Sequence, residues 1–406
     1  MKKTKQGEMM KSLRDFLLAL ACLCLLLGSG WAAEGNRTVV DSRGVEVQVP
    51  AEINRVVTID DGLVEEMMIV FGVQDKLVGL GSEVIPKVWE FSYPSIKGEN
   101  FTLHDGTHIV TYLDPRIKDL PVVGRAGTGV VNYEALVGLD PDVVILRLGD
   151  CTFANKDDEN TKKFMESMES LGIPMIVLYA PTYFDDPSVE GITKEILILG
   201  DLFQQEDKAR KTAEYLESTV ELVQERTENI SDSEKARVLM FGLSSRARDK
   251  SGAGFVHGLN TLESYFIEDI ANAKNACQDK TATFSQTFSP EQILALDPDV
   301  IVLSTAHGYH PPEELYEAPY YQSLQDTRAI KEKRVAALPW TPVNCAKRLE
   351  YPIELMVIAK TAYPDRFQDI DLGQWILNFY QQVYGVDPDT AAALRSVQFM
   401  DWTARS

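Results

Sequence analysis

Polar and aromatic residues follow the ends of several predicted strands, and their types suit recognition of an anionic or aromatic ligand. Ligands of open parallel sheets bind beyond the carboxyl ends of the strands, so we expect these residues to form a binding site. The candidates are Asp61, Glu83, Trp89, Arg125, Arg147, Arg246, Arg248, His307, Tyr309, Trp340 and Arg348. Arginine presents a planar fork to carboxylate, phosphate or catecholate oxygens, and Trp and Tyr present aromatic faces to a macrocycle or an aromatic chelator.

Two of these candidates are favoured, and each has a structural alternative. Arg147 ends an apolar run and is the first choice, and Trp340 follows because a Trp closing a strand is placed to line a cleft. The alternatives are a salt bridge within the protein for each arginine and a core position for Trp340. His307 and His310 could ligate a metal, as in haem or metal carriers, although a loop histidine is usually only solvated. We therefore predict no metal site built by the protein itself.

Common catalytic and nucleotide-binding motifs are missing from the sequence. We find no G-x-S-x-G elbow, P-loop, G-x-G-x-x-G after a strand, H-E-x-x-H or C-x-x-C. The glycines of residues 124–129 stand in the wrong order for a dinucleotide fingerprint, and a plain loop explains them. We therefore expect neither catalysis nor a cofactor.

A similar unit occurs twice and predicts two α/β lobes. Asn132–Leu146 and Ser289–Leu303 each contain a capping residue, a short amphipathic helix, the break Asp-Pro-Asp and an apolar run typical of a buried parallel strand. Glu134 and Glu291 occupy the same third position of the two copies. An acid in a first helical turn is favoured by the helix dipole, which is the structural alternative to a role in binding a partner.

A long amphipathic helix is predicted between the two copies. From about Phe203 to Asn229, apolar residues recur at spacings of three and four, and neither Pro nor Gly interrupts the pattern. Strands alternate with helices on both sides of this segment, as in largely parallel sheets. We predict an α/β protein of two lobes, with mainly parallel sheets and flanking helices, joined by this helix. The predicted divisions are 34–200 for the first lobe, 201–230 for the interlobe helix and 231–406 for the second lobe.

Residues 1–33 are typical of an export signal. A basic start precedes the apolar run of residues 16–27, which is too short to span a bilayer, and Gly30-Trp31-Ala32 offers small residues for cleavage. A lipid anchor at Cys22 is the alternative. We therefore expect a periplasmic protein, or one exported to the outer face of the cytoplasmic membrane.

Charge and cysteine content narrow the classes of partner. The formal charge is −21 for the full chain, and −24 once residues 1–33, with five Lys or Arg and two acids, are removed. This charge argues against nucleic acid or anionic lipid as a partner. Three cysteines remain after removal of the signal: Cys151, Cys277 and Cys345. They could form one disulfide and leave one free thiol, or they could be three buried thiols.

Several segments carry a family resemblance when their order and spacing are taken together. They are the hairpin DSRGVEVQVP, the strand-helix-strand RVVTIDDGLVEEMMIVFGVQDKLVGLG, LPVVG, both DPDV units and YPIELMVIAK, within about residues 37–395. The chain thereby resembles the ABC-importer substrate-binding proteins that carry ferric siderophores, haem and cobalamin. The resemblance implies a metal chelate bound between two lobes that one long helix joins. It also implies delivery to an ABC permease dimer with its ATPase, with Glu134 and Glu291 docking to arginines on the two permease halves.

Two other functions remain open at this point. One is an exported sensor that binds the same ligand, and the other is a chelatase or a nitrogenase-like enzyme on a related two-lobed fold. The export signal disfavours the enzymes, because their nucleotide and reductant partners are cytoplasmic. We expect a monomer with little hinge movement, since a continuous helix resists bending.

Overall fold

Strands and helices alternate along the chain in the computed structural model, which describes residues 35–125, 128–149, 159–280, 286–305, 307–344 and 347–405. The strands are β1 (Asn36–Val40), β2 (Glu46–Pro50), β3 (Val56–Ile59), β4 (Leu77–Leu80), β5 (Val88–Tyr93), β6 (Phe101–Thr107), β7 (Gly124–Arg125), β8 (Val130–Val131), β9 (Val143–Leu148), β10 (Met175–Tyr179), β11 (Arg237–Gly242), β12 (Gly254–Val256), β13 (Lys274–Asn275), β14 (Gln286–Phe288), β15 (Val300–Leu303) and β16 (Val335–Ala337). The α-helices are α1 (Leu63–Phe71), α2 (Ile109–Leu113), α3 (Tyr133–Gly138), α4 (Glu159–Leu171), α5 (Glu190–Phe203), α6 (Glu206–Thr227), α7 (Ser245–Arg248), α8 (Leu262–Tyr265), α9 (Pro290–Leu296), α10 (Pro312–Glu317), α11 (Arg328–Lys331), α12 (Tyr351–Ala362), α13 (Leu372–Tyr384) and α14 (Pro388–Val397).

Some of the sequence predictions lie outside these ranges. The predicted export signal of residues 1–33, Cys151 and Cys345 are not among the described residues, whereas Cys277 is described as a buried free thiol. Within the described ranges, no helix combines the length and apolar character needed to cross a membrane.

The first sheet has four parallel strands in the order β10-β9-β3-β4. Strands β3 and β9 are buried along their whole length, as expected for apolar runs covered on both faces of a parallel sheet. The carboxyl ends of the four strands lie at one edge of the sheet. Asp60 and Ser82 lie just beyond this edge, and Arg147 lies one residue before the end of β9.

The second sheet has the order β14-β12-β11-β15-β16. Strands β11, β15 and β16 are parallel, and β12 and β14 add an antiparallel edge. The segments after β11, β15 and β16 carry Arg246, His307 and Trp340, so this sheet also places candidates beyond its strand ends.

The two copies of the repeated unit form the same local structure. The side chains of Asn132 and Ser289 each accept a backbone N–H of the following helix, at 3.0 and 3.3 Å. Each helix is followed by the second Asp of Asp-Pro-Asp. Asp142 accepts a backbone N–H at the start of β3 and Asp299 one at the start of β11, both at 2.9 Å. In each unit the break thus connects the start of its own strand to the start of the neighbouring strand of the same sheet.

The long helix α6 is shorter than predicted at both ends. It runs over Glu206–Thr227, because Gln204 adopts a left-handed conformation (φ 54°) and ends the preceding helix α5 at Phe203. It packs against α5 and α1, which lie beside the first sheet, and against α12, which lies beside the second. The domain boundaries at residues 33, 200 and 230 stay a prediction.

The β5–β6 hairpin follows β4 and reaches the second lobe. Trp89, Phe91 and Tyr93 are the less exposed residues of β5 and share one face of the hairpin. The rings of Trp89 and Phe91 lie 5.6 and 4.8 Å from the Trp340 ring. The Tyr93 hydroxyl donates to the backbone carbonyl of Tyr309. The hairpin therefore joins the two lobes at a second place besides α6.

Candidate ligand-binding cleft

Arg147 lies in a buried ion pair at the carboxyl end of β9. Its Nε and Nη2 donate to the two carboxylate oxygens of Glu195 on α5, at 2.7 and 2.9 Å. Its Nη1 donates to the backbone carbonyl of Lys347 at 3.0 Å and lies 3.7 Å from Asp60. Only 1% of the residue is exposed. Arg147 therefore forms a salt bridge within the protein, as the alternative interpretation predicted. Its guanidinium group binds internal partners and does not face a ligand.

Arg348 is buried between the lobes and contacts both of them, so it is not part of the cleft surface. Its Nε donates to the backbone carbonyl of Asp61, which follows β3 of the first sheet. Its Nη1 donates to the Thr341 hydroxyl at 2.5 Å and its Nη2 to the Pro342 carbonyl at 2.7 Å, both after β16 of the second sheet. Asp61 is itself buried. Two predicted ligand residues thus hold the lobes together.

Lys347 contributes a second buried cation at the same place. Its Nζ lies 2.7 Å from Glu354 and 3.0 Å from Glu263. Burial alone would lower the pKa of Lys347, but the two carboxylates outweigh that effect and raise it. Burial would likewise raise the pKa of Glu263, but Lys347 and His257 lower it below the ordinary range. Lys347 and Glu263 are therefore ionised partners inside the protein.

A group of buried carboxylates beside this contact was missed at the sequence level. Glu66 on α1 accepts the backbone N–H of Leu349 at 3.1 Å, and His108 Nε2 lies 3.8 Å from its other oxygen. Burial and the neighbouring Glu350 raise the pKa of Glu66 well above its ordinary value. Burial and Arg348 lower the pKa of His108. Two adjacent acids inside the otherwise apolar helix Leu63–Phe71 were the signal that could have revealed this group.

Four further candidates with possible ligand or metal roles have internal partners. Tyr309 and Trp340 are buried, and the Tyr309 hydroxyl donates to the Phe399 carbonyl at 2.7 Å. Arg248 donates to the Tyr321 hydroxyl at 2.7 Å. His310 Nδ1 is 2.7 Å from a carboxylate oxygen of Glu314. Trp340 therefore occupies a core position, which was the alternative to lining a cleft.

The remaining candidates are exposed or half-buried: Arg125 lies on β7, Glu83 follows β4, and Arg246 and His307 follow β11 and β15. Arg125 Nε lies 3.8 Å from Glu83, with 74% of the arginine side chain exposed. Arg246 is exposed, and its side chain has no hydrogen bond or ion pair to the described residues. His307 is also exposed, and its ring lies 5.6 Å from that of Phe255. Burial, Arg246 and His310 lower the pKa of His307, which favours a neutral imidazole.

Trp89 lies on the face of the β5–β6 hairpin that packs on Trp340. Its ring is half-buried on the β5–β6 hairpin, and its indole N–H is enclosed without a hydrogen-bond acceptor among the described residues. The exposed candidates thus supply two guanidinium groups and one imidazole, and the hairpin adds the half-buried indole of Trp89. Such groups can bind a negatively charged, partly aromatic molecule by charge-assisted hydrogen bonds and ring contact.

Glu134 and Glu291 lie in the first turns of α3 and α9, as the repeat predicts. Both are exposed, one on each half of the chain. Hydrogen bonds from the local backbone and from the Ser289 hydroxyl lower the pKa of Glu291. Both positions are therefore accessible to a partner, and their docking role stays a prediction.

Comparison with known proteins identifies relatives over most of the chain. The model of a family described as periplasmic binding protein matches residues 107–341. The molybdate-binding protein MolA of Haemophilus influenzae is 22% identical over 398 residues, which cover 93% of this chain and 99% of MolA. A cobalamin-binding protein of Halobacterium salinarum is 25% identical over 228 residues, which cover 56% of this chain and 53% of that protein.

Solved structures share the fold at low sequence identity. A periplasmic solute-binding protein from Veillonella parvula superposes with a TM-score of 0.68 at 20% identity, over 91% of this chain and 99% of that chain. Molybdate-bound MolA superposes with a TM-score of 0.62 at 18% identity, over 86% of this chain and 98% of MolA. The predicted α/β fold of two lobes and the predicted family resemblance are confirmed.

Proposed function

This chain belongs to the periplasmic binding protein family, and we propose that it is an exported substrate-binding protein that captures an anionic metal chelate between its lobes. The chelate is a ferric siderophore, haem or a corrinoid, and the protein delivers it unchanged to an ABC importer. We assign the chain no catalysis and no resident cofactor. The proposal rests on two exposed arginines: Arg125 on β7, beside Glu83 after β4 of the first sheet, and Arg246, which follows β11 of the second sheet.

The distribution of cations supports this choice of ligand residues. Arg147, Lys347 and Arg348 have partners inside the protein, so an anion entering between the strand ends meets Arg125 and Arg246. Guanidinium groups bind carboxylate, phosphate and catecholate oxygens through paired hydrogen bonds. His307 beside Arg246 is a neutral imidazole in the proposed state and can occupy an open coordination position on the metal of the chelate.

A bare oxyanion is the second candidate ligand. It is favoured by MolA, a molybdate-binding protein of which this chain covers 99%. Exposed arginines suit a small oxyanion as well as the periphery of a chelate, whereas the half-buried Trp89 contributes only to an aromatic or macrocyclic ligand. Trp89 is therefore the residue whose removal separates the two candidates.

Delivery requires a surface for the permease, and we assign this role to Glu134 and Glu291. Their equivalent positions in the two repeats suit a permease dimer with two-fold symmetry. Exposed ion pairs are individually weak, so we expect these acids to set orientation and association rate more than affinity.

A ligand panel tests the proposed function. The chain without residues 1–33 is mixed with ferric catecholate and hydroxamate siderophores, haemin, cyanocobalamin and molybdate, and its native mass and absorbance are recorded. We expect one equivalent of one chelate class, recovered unchanged after denaturation. Binding of molybdate alone would select the second candidate. Chemical conversion of the ligand, or no binding of any compound, would contradict the proposal.

Transport separates a carrier from an exported sensor. Vesicles containing the cognate permease and ATPase should accumulate the bound chelate only when this protein is present. Binding without any stimulation of uptake would favour the sensor.

A further inference from the structure

A cavity of about 740 Å³ lies between the β5–β6 hairpin and the second lobe. One wall is formed by β6, and the others by the segment 309–317, by α14 and by the residues after α14. Neither Arg125 nor Arg246 lines it. Its volume falls within the range of about 300–1,000 Å³ that is common for small-molecule sites. The cavity is therefore large enough for a ligand of its own.

Aromatic side chains supply much of its wall. The cavity is lined by Phe101, Tyr309, Phe399 and Trp402. The rings of Tyr309 and Phe399 lie 5.0 Å apart and are fixed by the hydrogen bond from the Tyr309 hydroxyl to the Phe399 carbonyl. Phe101 and Trp402 are only half-buried, so parts of their rings are accessible from the cavity.

The charged groups around this aromatic wall are mainly acidic. Four carboxylates and one histidine line the cavity, and the described lining residues include no Lys or Arg. Glu317 and Asp401 each form an ion pair with a neighbouring cation. Asp105 and Glu313 are exposed and have no ion pair to the described residues. Two uncompensated carboxylates thus lie beside accessible aromatic rings.

We propose that this cavity is a second binding site, selective for a small organic ammonium ion that carries an aromatic or aliphatic group. The aromatic faces attract a cation through their quadrupoles and cover its apolar part, while Asp105 and Glu313 supply the opposite charge. The site is separate in residues and opposite in charge preference from the strand ends that carry Arg125 and Arg246. Because its walls come from the β5–β6 hairpin and from the second lobe, an occupant also holds the hairpin against that lobe.

Benzyltrimethylammonium is a suitable probe, with benzyl alcohol as its uncharged analogue. Calorimetric titration of the chain without residues 1–33 should show one site for the cation, and Trp402 should report it by a change in fluorescence. Benzyl alcohol should bind at least about fivefold more weakly, as expected from loss of the cation–π and charge terms. Asp105→Asn and Glu313→Gln should each lower the affinity for the cation by about two- to fivefold, which is the effect expected of an exposed charge pair.

Matched controls keep the test decisive. Glu332→Gln removes an exposed carboxylate outside the cavity and should leave the affinity unchanged. The double variant Asp105→Asn/Glu313→Gln should fold normally by circular dichroism and should bind the uncharged analogue as wild type does. Three results would overturn the proposal. They are the absence of cation binding at millimolar concentration, equal affinity for the cation and for benzyl alcohol, and wild-type affinity for the cation in the double variant. Displacement of the cation by an anion of the ligand panel would show that the cavity is not a separate site.

Discussion

Arg147 and Glu195 form a two-point hydrogen-bonded ion pair at the carboxyl end of the first sheet, with N–O distances of 2.7 and 2.9 Å. The pair is buried, and the same guanidinium group also donates to the backbone of Lys347 at 3.0 Å. The sequence favours a ligand contact at this strand end, but the structure has an ion pair within the protein there. Its main consequence is for stability.

Removing one partner of this pair should destabilise the protein. Arg147→Ala leaves the Glu195 carboxylate buried without its cation, and breaking a buried pair in this way typically costs about 3–5 kcal/mol. Urea unfolding should show a correspondingly lower free energy of unfolding. Arg246→Ala removes an exposed guanidinium and serves as the control, with an expected change within about 0.5 kcal/mol. Equal stability of both variants would contradict the buried pair.

Glu66 should make stability depend on pH. Burial and Glu350 raise its pKa in the folded state. The folded state therefore holds its proton to higher pH than the unfolded state, and this stabilising contribution is present below the ordinary pKa of about 4.3 and is lost as pH rises. In the wild type, this group should lower the free energy of unfolding by about 1.4 kcal/mol per pH unit between pH 5 and the raised folded-state pKa. Glu66→Gln should abolish this pH-dependent decrease. Unfolding curves at pH 5, 6 and 7 measure it.

The control for this pH effect is Glu134→Gln, which changes an exposed acid on α3. Its unfolding free energy should run parallel to that of the wild type across the same pH range. Parallel curves for Glu66→Gln as well would show that the Glu66 proton is not retained on folding.

The β5–β6 hairpin should depend on its aromatic contacts. Phe91 lies 4.8 Å from the Trp340 ring and 6.0 Å from the Phe399 ring. Phe91→Ala should release the hairpin, because these contacts hold it on the second lobe. Hydrogen exchange of residues 88–107 should then accelerate while α6 stays protected. Val88→Ala, on the opposite and exposed face, should leave the exchange unchanged, and equal exchange in both variants would show that the ring contacts do not hold the hairpin.

Charge reversal tests the proposed permease surface. Glu134→Arg combined with Glu291→Arg should abolish uptake by reconstituted vesicles, because both halves of the permease would meet a repulsive charge. Binding of the soluble ligand should persist, since neither residue lies beyond the carboxyl end of a parallel strand of either sheet. Reversing two exposed acids of α6, Glu214→Arg with Glu221→Arg, provides the control. Normal uptake by the first double variant would leave Glu134 and Glu291 as helix-terminal charges only.

Local signals predict the architecture well. The capping residues, the Asp-Pro-Asp breaks and the apolar runs act within about fifteen residues, and the helices and strands of both repeats follow them. The start of α6 is different, since Gln204 adopts a left-handed conformation that is uncommon outside Gly, and the apolar pattern continues through it.

Pairing of charges depends on long-range contacts and was not predictable in the same way. Arg147 pairs with the Glu195 carboxylate across 48 residues, and Arg348 donates to the backbone carbonyl of Asp61 across 287 residues. Position after a strand therefore predicts that a side chain lies near the cleft, but its partner decides whether it faces a ligand. Arg125, Arg147 and Arg246 were all predicted at strand ends, and of the three Arg125 and Arg246 are the exposed ones.

The most direct test is the equilibrium affinity of the best chelate for wild type, Arg125→Ala, Arg246→Ala and the double variant, with Arg210→Ala on α6 as an exposed control. A lost charge-assisted hydrogen bond of about 1.5–3 kcal/mol corresponds to about a tenfold to hundredfold loss of affinity. We predict such a loss for each single variant, a larger one for the double variant and none for the control, with melting temperatures unchanged. Wild-type affinity in the double variant would contradict the proposed site at the strand ends.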